Sequence, residues 1–300
     1  MSLPFSPVLR ACALALMSAL LLPGALVQAS PADTPAAPGP LSRSTLVIGH
    51  AGSGFFHFFN PLPPSSLRSI TRALHRGADG VEVDIRLSQD SVPVLYHDNL
   101  LNSMTNGEGC VSQTPAAALT ALHYRGGWPY DWFQHEQVVT FETLLQQLSR
   151  RPQFPYLHLD LHEDDDCNGG DPACSQALAR RLRGLLTRYH VPSTRLLILT
   201  NRASTLVYLR QLLPLVPLGL EMNNDFAADL ATLRQLPGVQ VAVLHKDKIT
   251  PERSAVLHAM GREVVVFGGR SARAVSRVVA ANPDAYEVDN VRHLQAALRR

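Results

Sequence analysis

Short apolar, β-branched runs recur along this chain with longer segments of helical period between them, and that alternation restricts the fold more than any other feature. It is the pattern of a parallel sheet whose strands are joined by crossover helices. Eight strands are expected, at residues 45–50, 80–87, 156–162, 195–200, 218–222, 239–245, 263–267 and 285–289. Helix ends between them are explicit. Ser65 and Ser66 open one helix, Leu67, Ile70 and Leu74 form its apolar stripe, and Gly77 closes it. Thr250-Pro251-Glu252 supplies an N-cap, a first-turn proline and a first-turn acid, and Gly261 ends that helix. Further helices are expected over 141–148, 175–189, 203–213, 226–236 and 270–281. Eight strands each followed by a helix close into a (β/α)8 TIM barrel, which carries its reactive residues at the C-terminal ends of the strands. An open, doubly wound sheet is the competing architecture, but no glycine-rich dinucleotide or P-loop fingerprint follows any strand. Residues 88–139 are too long for an ordinary connection and carry an apolar piece of their own at 92–96, so they read as a small insertion over the barrel mouth.

The first residues have a different character. One Arg, an apolar run over 11–22 and the small-residue stretch Val27-Gln28-Ala29 form the pattern of a secretory signal peptide, expected over 1–29. The run is shorter than the ~20 apolar residues of a spanning helix and is broken by Pro23-Gly24, so no stable membrane span is expected after processing. Residues 30–44, rich in Pro and Ala, read as a flexible leader to a domain over 45–300, and the chain is expected to be periplasmic or secreted. A net charge of +2, with scattered Lys and Arg, does not supply the basic face that nucleic acid requires.

Export places Cys110, Cys167 and Cys174 in an oxidising compartment. Cys167 and Cys174 enclose the turn-forming stretch NGGDPA, so a disulfide between them is expected, with Cys110 left over.

Side-chain alternation puts chemistry inside the barrel. On the second strand Val81, Val83 and Ile85 share one face, while Glu82, Asp84 and Arg86 share the other. The third strand repeats this, with His158, Asp160 and His162 inward. Three inward carboxylates on neighbouring strands repel one another unless a cation lies among them, and Glu82, Asp84 and Asp160 are therefore the expected ligands of a divalent metal. An oxygen-donor set without Cys suits Mg2+ or Ca2+. Internal pairing with Arg86 is the structural alternative. His50 ends the first strand ahead of the small run Ala51-Gly52-Ser53-Gly54, and His97 ends the apolar piece of the insertion beside Asp98. Two imidazoles across a metal-bound phosphodiester divide acid and base work between them.

These residues carry a resemblance. Ile48-Gly49-His50, Gly77-Ala78-Asp79-Gly80-Val81-Glu82-Val83-Asp84, Val92-Pro93-Val94-Leu95-Tyr96-His97-Asp98 and Leu157-His158-Leu159-Asp160 together resemble the glycerophosphodiester phosphodiesterase family, closely over 46–160 and as strand–helix rhythm beyond. The resemblance implies a (β/α)8 barrel, an insertion after the second strand, and hydrolysis of glycerophosphodiesters to an alcohol and glycerol 3-phosphate. It implies His50 and His97 as the acid/base pair and Glu82, Asp84 and Asp160 as metal ligands. The chain departs from the family pattern at three points: Ala51 stands where Arg is usual, Pro63-Pro64-Ser65-Ser66 replaces Pro-Glu-Asn-Thr, and Asp160 and His162 replace Glu and Lys. His162 and Lys246 are then the candidates for contact with a small-molecule or phospholipid-derived diester. A phosphatidylinositol-specific or sphingomyelinase D type phospholipase, and a non-catalytic binding barrel, are the alternatives. Glu163-Asp164-Asp165-Asp166 is expected to be a solvated rim, and Trp128, Tyr130, Trp132 and Phe133 to pack a small lid. Glu221, His245 and Asp289 stand at or near later strand ends.

Overall fold

The computed structural model of the chain describes residues 44–299 except 58, 164, 166, 168 and 170. The expected signal peptide and nearly all of the expected leader lie outside the described residues. Ten strands and nine α-helices follow in the order β1 (Leu46–Gly49), α1 (Leu67–His75), β2 (Gly80–Leu87), β3 (Pro93–Leu95), α2 (Ala116–Leu119), β4 (Val139–Thr140), α3 (Phe141–Leu148), β5 (Tyr156–Leu161), α4 (Pro172–Arg188), β6 (Leu196–Thr200), α5 (Ala203–Leu212), β7 (Leu218–Glu221), α6 (Phe226–Arg234), β8 (Val241–His245), α7 (Pro251–Ala259), β9 (Glu263–Phe267), α8 (Ala272–Val279), β10 (Ala285–Val288) and α9 (Val291–Leu298) among the described residues. Strands β1, β2, β5, β6, β7, β8, β9 and β10 pair in parallel, and β10 returns to β1, so the sheet closes as the expected (β/α)8 TIM barrel.

Two apolar layers hold this ring. Val81, Val83 and Ile85 of β2 and Leu157, Leu159 and Leu161 of β5 face outward and are buried under the helices, each such side chain contributing roughly 1.5–3 kcal/mol of burial. Inside the ring, Ile48, Leu197, Leu199, Val241, Val243, Val265 and Ala285 form a second, smaller core. Helix starts follow the sequence signals: the side chains of Ser66, Thr140, Asp171, Asp225, Thr250, Ser271 and Asn290 each accept a first-turn backbone N–H. Helix α4 begins at Pro172, three residues before the expected start, because Asp171 caps it and Pro172 takes the position where a missing N–H costs nothing. No helix of the described residues is long and apolar enough to cross a membrane.

The insertion is built on β2 itself. Strand β3 runs antiparallel to the end of β2, with Ile85 opposite Leu95 and Arg86 opposite Val94, and β4 adds to β3. Val94, Tyr96, Leu101, Val111, Leu119, Tyr124 and Val138 give it a separate core. The expected lid packing by its aromatics is not what forms: Trp128, Trp132 and Phe133 are 78%, 72% and 61% exposed. Tyr130 does pack, against Phe56 of the β1–α1 loop.

The expected Cys167–Cys174 disulfide is corrected by the structure, in which Cys167 is bonded to Cys110 at a Cα–Cα distance of 6.4 Å. The cause is local. Cys174 lies in the first turn of α4, while the Cys167 N–H is bonded to Asp165 Oδ1 (2.8 Å) and its carbonyl accepts from Gln113 Nε2 of the insertion (3.0 Å). These bonds hold Cys167 beside the insertion, within reach of Cys110. Peptide mapping of the non-reduced protein should therefore link the Cys110 and Cys167 peptides, and Cys110→Ser should lower unfolding stability by about 2–4 kcal/mol. A Cys167–Cys174 linkage in the map would contradict this assignment.

Candidate active site

The register of β2 and β5 decides the site. Asp84 lies directly opposite Asp160, and Glu82 opposite His158, so alternation brings acids of both strands to one place inside the ring. Oxygen atoms of Glu82, Asp84 and Asp160 come within 4.8 Å of one another. Glu82 and Asp84 are buried, and Asp160 is half-buried. Glu82 Oε2 accepts the Ala51 N–H at 2.6 Å, while its Oε1 is buried with no hydrogen-bond partner among the described residues. A buried, unpartnered carboxylate oxygen facing two further carboxylates is a donor set that fits a cation. Burial, followed by the charges of Asp84, Glu287 and Asp160, pushes the Glu82 carboxyl well above the usual carboxylate range.

His162 meets the same acids. Its Nε2 is 2.9 Å from Asp84 Oδ1 and 3.3 Å from Asp160 Oδ2. Burial alone would lower its pKa, but the charges and hydrogen bonds of Asp160 and Asp84 outweigh that and lift it to about 10. Burial would in turn raise Asp84, and His162 holds it below the usual range instead. In the metal-free protein an imidazolium thus takes up part of the cation's electrostatic role.

Ser65 and Ser66, where the sequence departs from Pro-Glu-Asn-Thr, keep defined tasks. Ser66 caps α1, and Ser65 Oγ donates to Asp84 Oδ2 at 2.9 Å. The turn after β1 needs glycine at residue 52, whose φ is +80° and where a Cβ would lie 2.7 Å from Ile70 N. This turn points the Ala51 N–H at Glu82, so the small run serves the carboxylate.

Both expected histidines reach the site, each held through Nδ1 by a carboxylate. His50 Nδ1 is bonded to Asp289 Oδ1 at 2.7 Å, and His97 Nδ1 to Asp98 Oδ1 at 2.6 Å. Because the acceptors are carboxylates, Nδ1 carries the proton and Nε2 of each ring is left for chemistry. A ring nitrogen of His97 lies within 4.8 Å of ligand atoms of Asp84 and His162. Phe55 stands between the pair, its ring 5.5 Å from that of His50 and 5.1 Å from that of His97. Arg86 fixes both sides of the cleft, donating to the carbonyls of His97 (2.8 Å) and His162 (3.2 Å).

Several residues stand differently from expectation. Lys246 follows β8 at the rim, where its ammonium is paired with Asp247, whose carboxylate is also bonded by Arg277. Another cation, Arg270, lies 4.0 Å from Asp289, the partner of His50. In the acidic run, Glu163 accepts from the hydroxyls of Thr200 and Thr205 and Asp165 is buried, so these two are structural anchors and not a solvated rim. Glu287 on β10, which was not singled out, is buried and bonded to His158 at 2.6 Å. The period-two pattern of Ala285, Glu287 and Asp289 carried the signal. Glu221 on β7 is lifted to about 7 by burial and the charge of Asp160.

The chain is similar to known proteins. Residues 58–293 match the sequence profile described as the Glycerophosphoryl diester phosphodiesterase family. A glycerophosphodiester phosphodiesterase of Caldanaerobacter subterraneus is 39% identical over 67 residues, 22% of this chain. That match spans 26% of the relative's length, and other curated relatives are matched over similarly partial stretches. Among solved structures, an Oleispira antarctica phosphodiesterase in complex with the product sn-glycerol-3-phosphate is similar with a TM-score of 0.72 and 24% identity, covering 85% of this chain and 97% of that one. A glycerophosphodiester phosphodiesterase from Parabacteroides distasonis has a TM-score of 0.69 at 20% identity, covering 86% and 98%. At these identities the structures show the shared barrel.

Burial would lower the pKa of His50, but the Asp289 hydrogen bond and charge raise it above the free value. The sign follows: this pair's stabilisation is complete below about pH 6.5, the value of an unperturbed imidazole, and is lost as pH rises through the folded value. In an Asp289→Asn variant, His50 of the metal-free protein should titrate at lower pH, read from its Cε1 proton by NMR. An unchanged titration would remove Asp289 as its orienting partner.

Proposed function

Because the chain belongs to the glycerophosphoryl diester phosphodiesterase family, we propose that it hydrolyses glycerophosphodiesters to an alcohol and glycerol 3-phosphate. The observation that carries this reading is the joint placement of three convergent carboxylates and two imidazoles whose Nδ1 atoms are both held by acids. Glu82, Asp84 and Asp160 would hold a divalent cation, which when bound supplies Lewis-acid polarisation of a phosphoryl oxygen. Three oxygen donors suit Mg2+ or Ca2+.

The chain's own residues do the proton work. Nε2 of one histidine takes a proton from the attacking water, whose oxygen bonds to phosphorus as the bond to the alcohol oxygen breaks, and Nε2 of the other gives a proton to that departing oxygen. Asp289 and Asp98 keep Nδ1 of each ring protonated, so the base presents the Nε2 lone pair of a neutral imidazole and the acid the Nε2–H of an imidazolium, and Phe55 keeps the rings apart so that a diester is approached from two sides. With a cation on Asp84 and Asp160, His162 would be released from these two acids and could turn a ring N–H to a non-bridging phosphate oxygen. The sn-glycerol-3-phosphate bound to the Oleispira antarctica structure supports the product side of this scheme. We also read the apolar run over 11–22 as directing export, which would give the enzyme small diesters derived from phospholipid outside the cytoplasm.

Incubation of the purified protein with glycerophosphocholine, followed by 31P NMR, tests this directly. Glycerol 3-phosphate should accumulate, stop after chelation and resume when Mg2+ or Ca2+ is restored. His50→Ala and His97→Ala should each lower kcat by roughly 10²–10⁴ while melting near the parental temperature. A cyclic phosphate as final product would point to the phospholipase type, and undiminished turnover after exhaustive chelation would overturn the metal assignment.

A further inference from the structure

The outer face of α1 carries a charge pattern that the catalytic centre does not use. Arg68, Arg72 and Arg76 are spaced four residues apart and so share one side of the helix. Helix α9 lies alongside, its Gln295 Nε2 donating to the carbonyls of Arg76 and Gly77, and adds Arg292. Between them is a groove of about 670 Å3 lined by these four arginines with His75 and Gln147, and among the described residues no carboxylate lines it.

Among the described residues, no neighbour neutralises three of these four charges. Arg68 has Glu136 at 3.6 Å, and Arg72 Nη1 donates to the neutral Asn60 Oδ1 at 3.0 Å. Among the described residues, Arg72, Arg76 and Arg292 take part in no ion pair. Burial and the neighbouring guanidinium groups depress the pKa of both Arg72 and Arg76. Like charges at this helical spacing destabilise an isolated helix. A multiply charged oxyanion entering the groove would relieve that repulsion, and guanidinium forks match the geometry of phosphate oxygens.

We propose that this groove is a phosphate-binding site, outside the barrel and separate from the catalytic centre, that takes a phosphate group carried by a soluble compound or by an anionic phospholipid headgroup. It does not depend on the activity proposed above. A phosphate there bridges Arg72, Arg76 and Arg292, and its binding weakens with salt as the exposed arginines are screened.

The test compares the full chain with an Arg76→Gln/Arg292→Gln double variant and with Arg292→Gln alone, whose exposed position on α9 leaves packing intact. Two probes are used at low ionic strength: inorganic phosphate by calorimetry, and phosphatidylglycerol–phosphatidylcholine vesicles by co-sedimentation. The double variant should lose about tenfold or more in affinity for one probe or both, the energy of one charge-assisted hydrogen bond being of that size. Arg292→Gln alone should lose part of it, with hydrolysis at the catalytic centre unchanged in both variants. Loss confined to inorganic phosphate identifies a soluble ligand, and loss confined to vesicles identifies a lipid headgroup. Equal binding of both probes by the parent and the variants would overturn the proposal.

Discussion

Repulsion among Glu82, Asp84 and Asp160 is the constraint on which the rest of the site depends. Strand register leaves them no room to separate, since Asp84 and Asp160 are direct partners across β2 and β5 and Glu82 is one inward position below. Much of the surrounding structure is legible as compensation. Ala51 donates its N–H to Glu82, Ser65 its hydroxyl to Asp84, and His162 stands as a cation between the other two acids. Yet one oxygen of Glu82 is left buried without a hydrogen-bond partner among the described residues. Three convergent carboxylates, with one buried oxygen still open, form a site arranged to accept a cation.

Around that centre, carboxylates recur in a second role, as holders of imidazoles. Asp289 fixes His50, Asp98 fixes His97 and Glu287 fixes His158. Asp289 directly follows the last barrel strand, Asp98 directly follows His97, and Glu287 lies within β10. What unites the two catalytic candidates is the insertion, which starts by pairing β3 on the free upper half of β2 and so returns the chain, at His97, to the mouth. Arg86 then ties the carbonyls of His97 and His162 together, and the Cys110–Cys167 disulfide ties the insertion to the loop after β5. The departures Ala51, Ser65 and His162 are thus absorbed structurally.

Much of this was legible in the sequence because it rests on periodicity. Alternation in Val81-Glu82-Val83-Asp84 and Leu157-His158-Leu159-Asp160 sorts inward from outward residues without knowledge of the fold, and the caps at Ser66 and Thr250 mark helix starts by local hydrogen bonding alone. What failed were pairings that need three-dimensional reach. The short spacing of Cys167 and Cys174 was a local signal overridden by the Asp171 cap and by Gln113, 54 residues away. Lys246 was placed correctly along the chain, but its ammonium is taken by Asp247. Glu287 was readable by the rule that found Glu82, and it was obscured because its partner, His158, is 129 residues distant.

The claim that the three carboxylates share one ion is tested most directly by diffraction from crystals grown with Mn2+, which scatters anomalously and accepts the same oxygen donors as Mg2+. A single strong anomalous peak bonded by Glu82, Asp84 and Asp160, with His162 drawn away from between the two aspartates, is the result this account predicts. Ordered crystals with no peak among these carboxylates, or with the ion elsewhere and His162 still bridging Asp84 and Asp160, would contradict it.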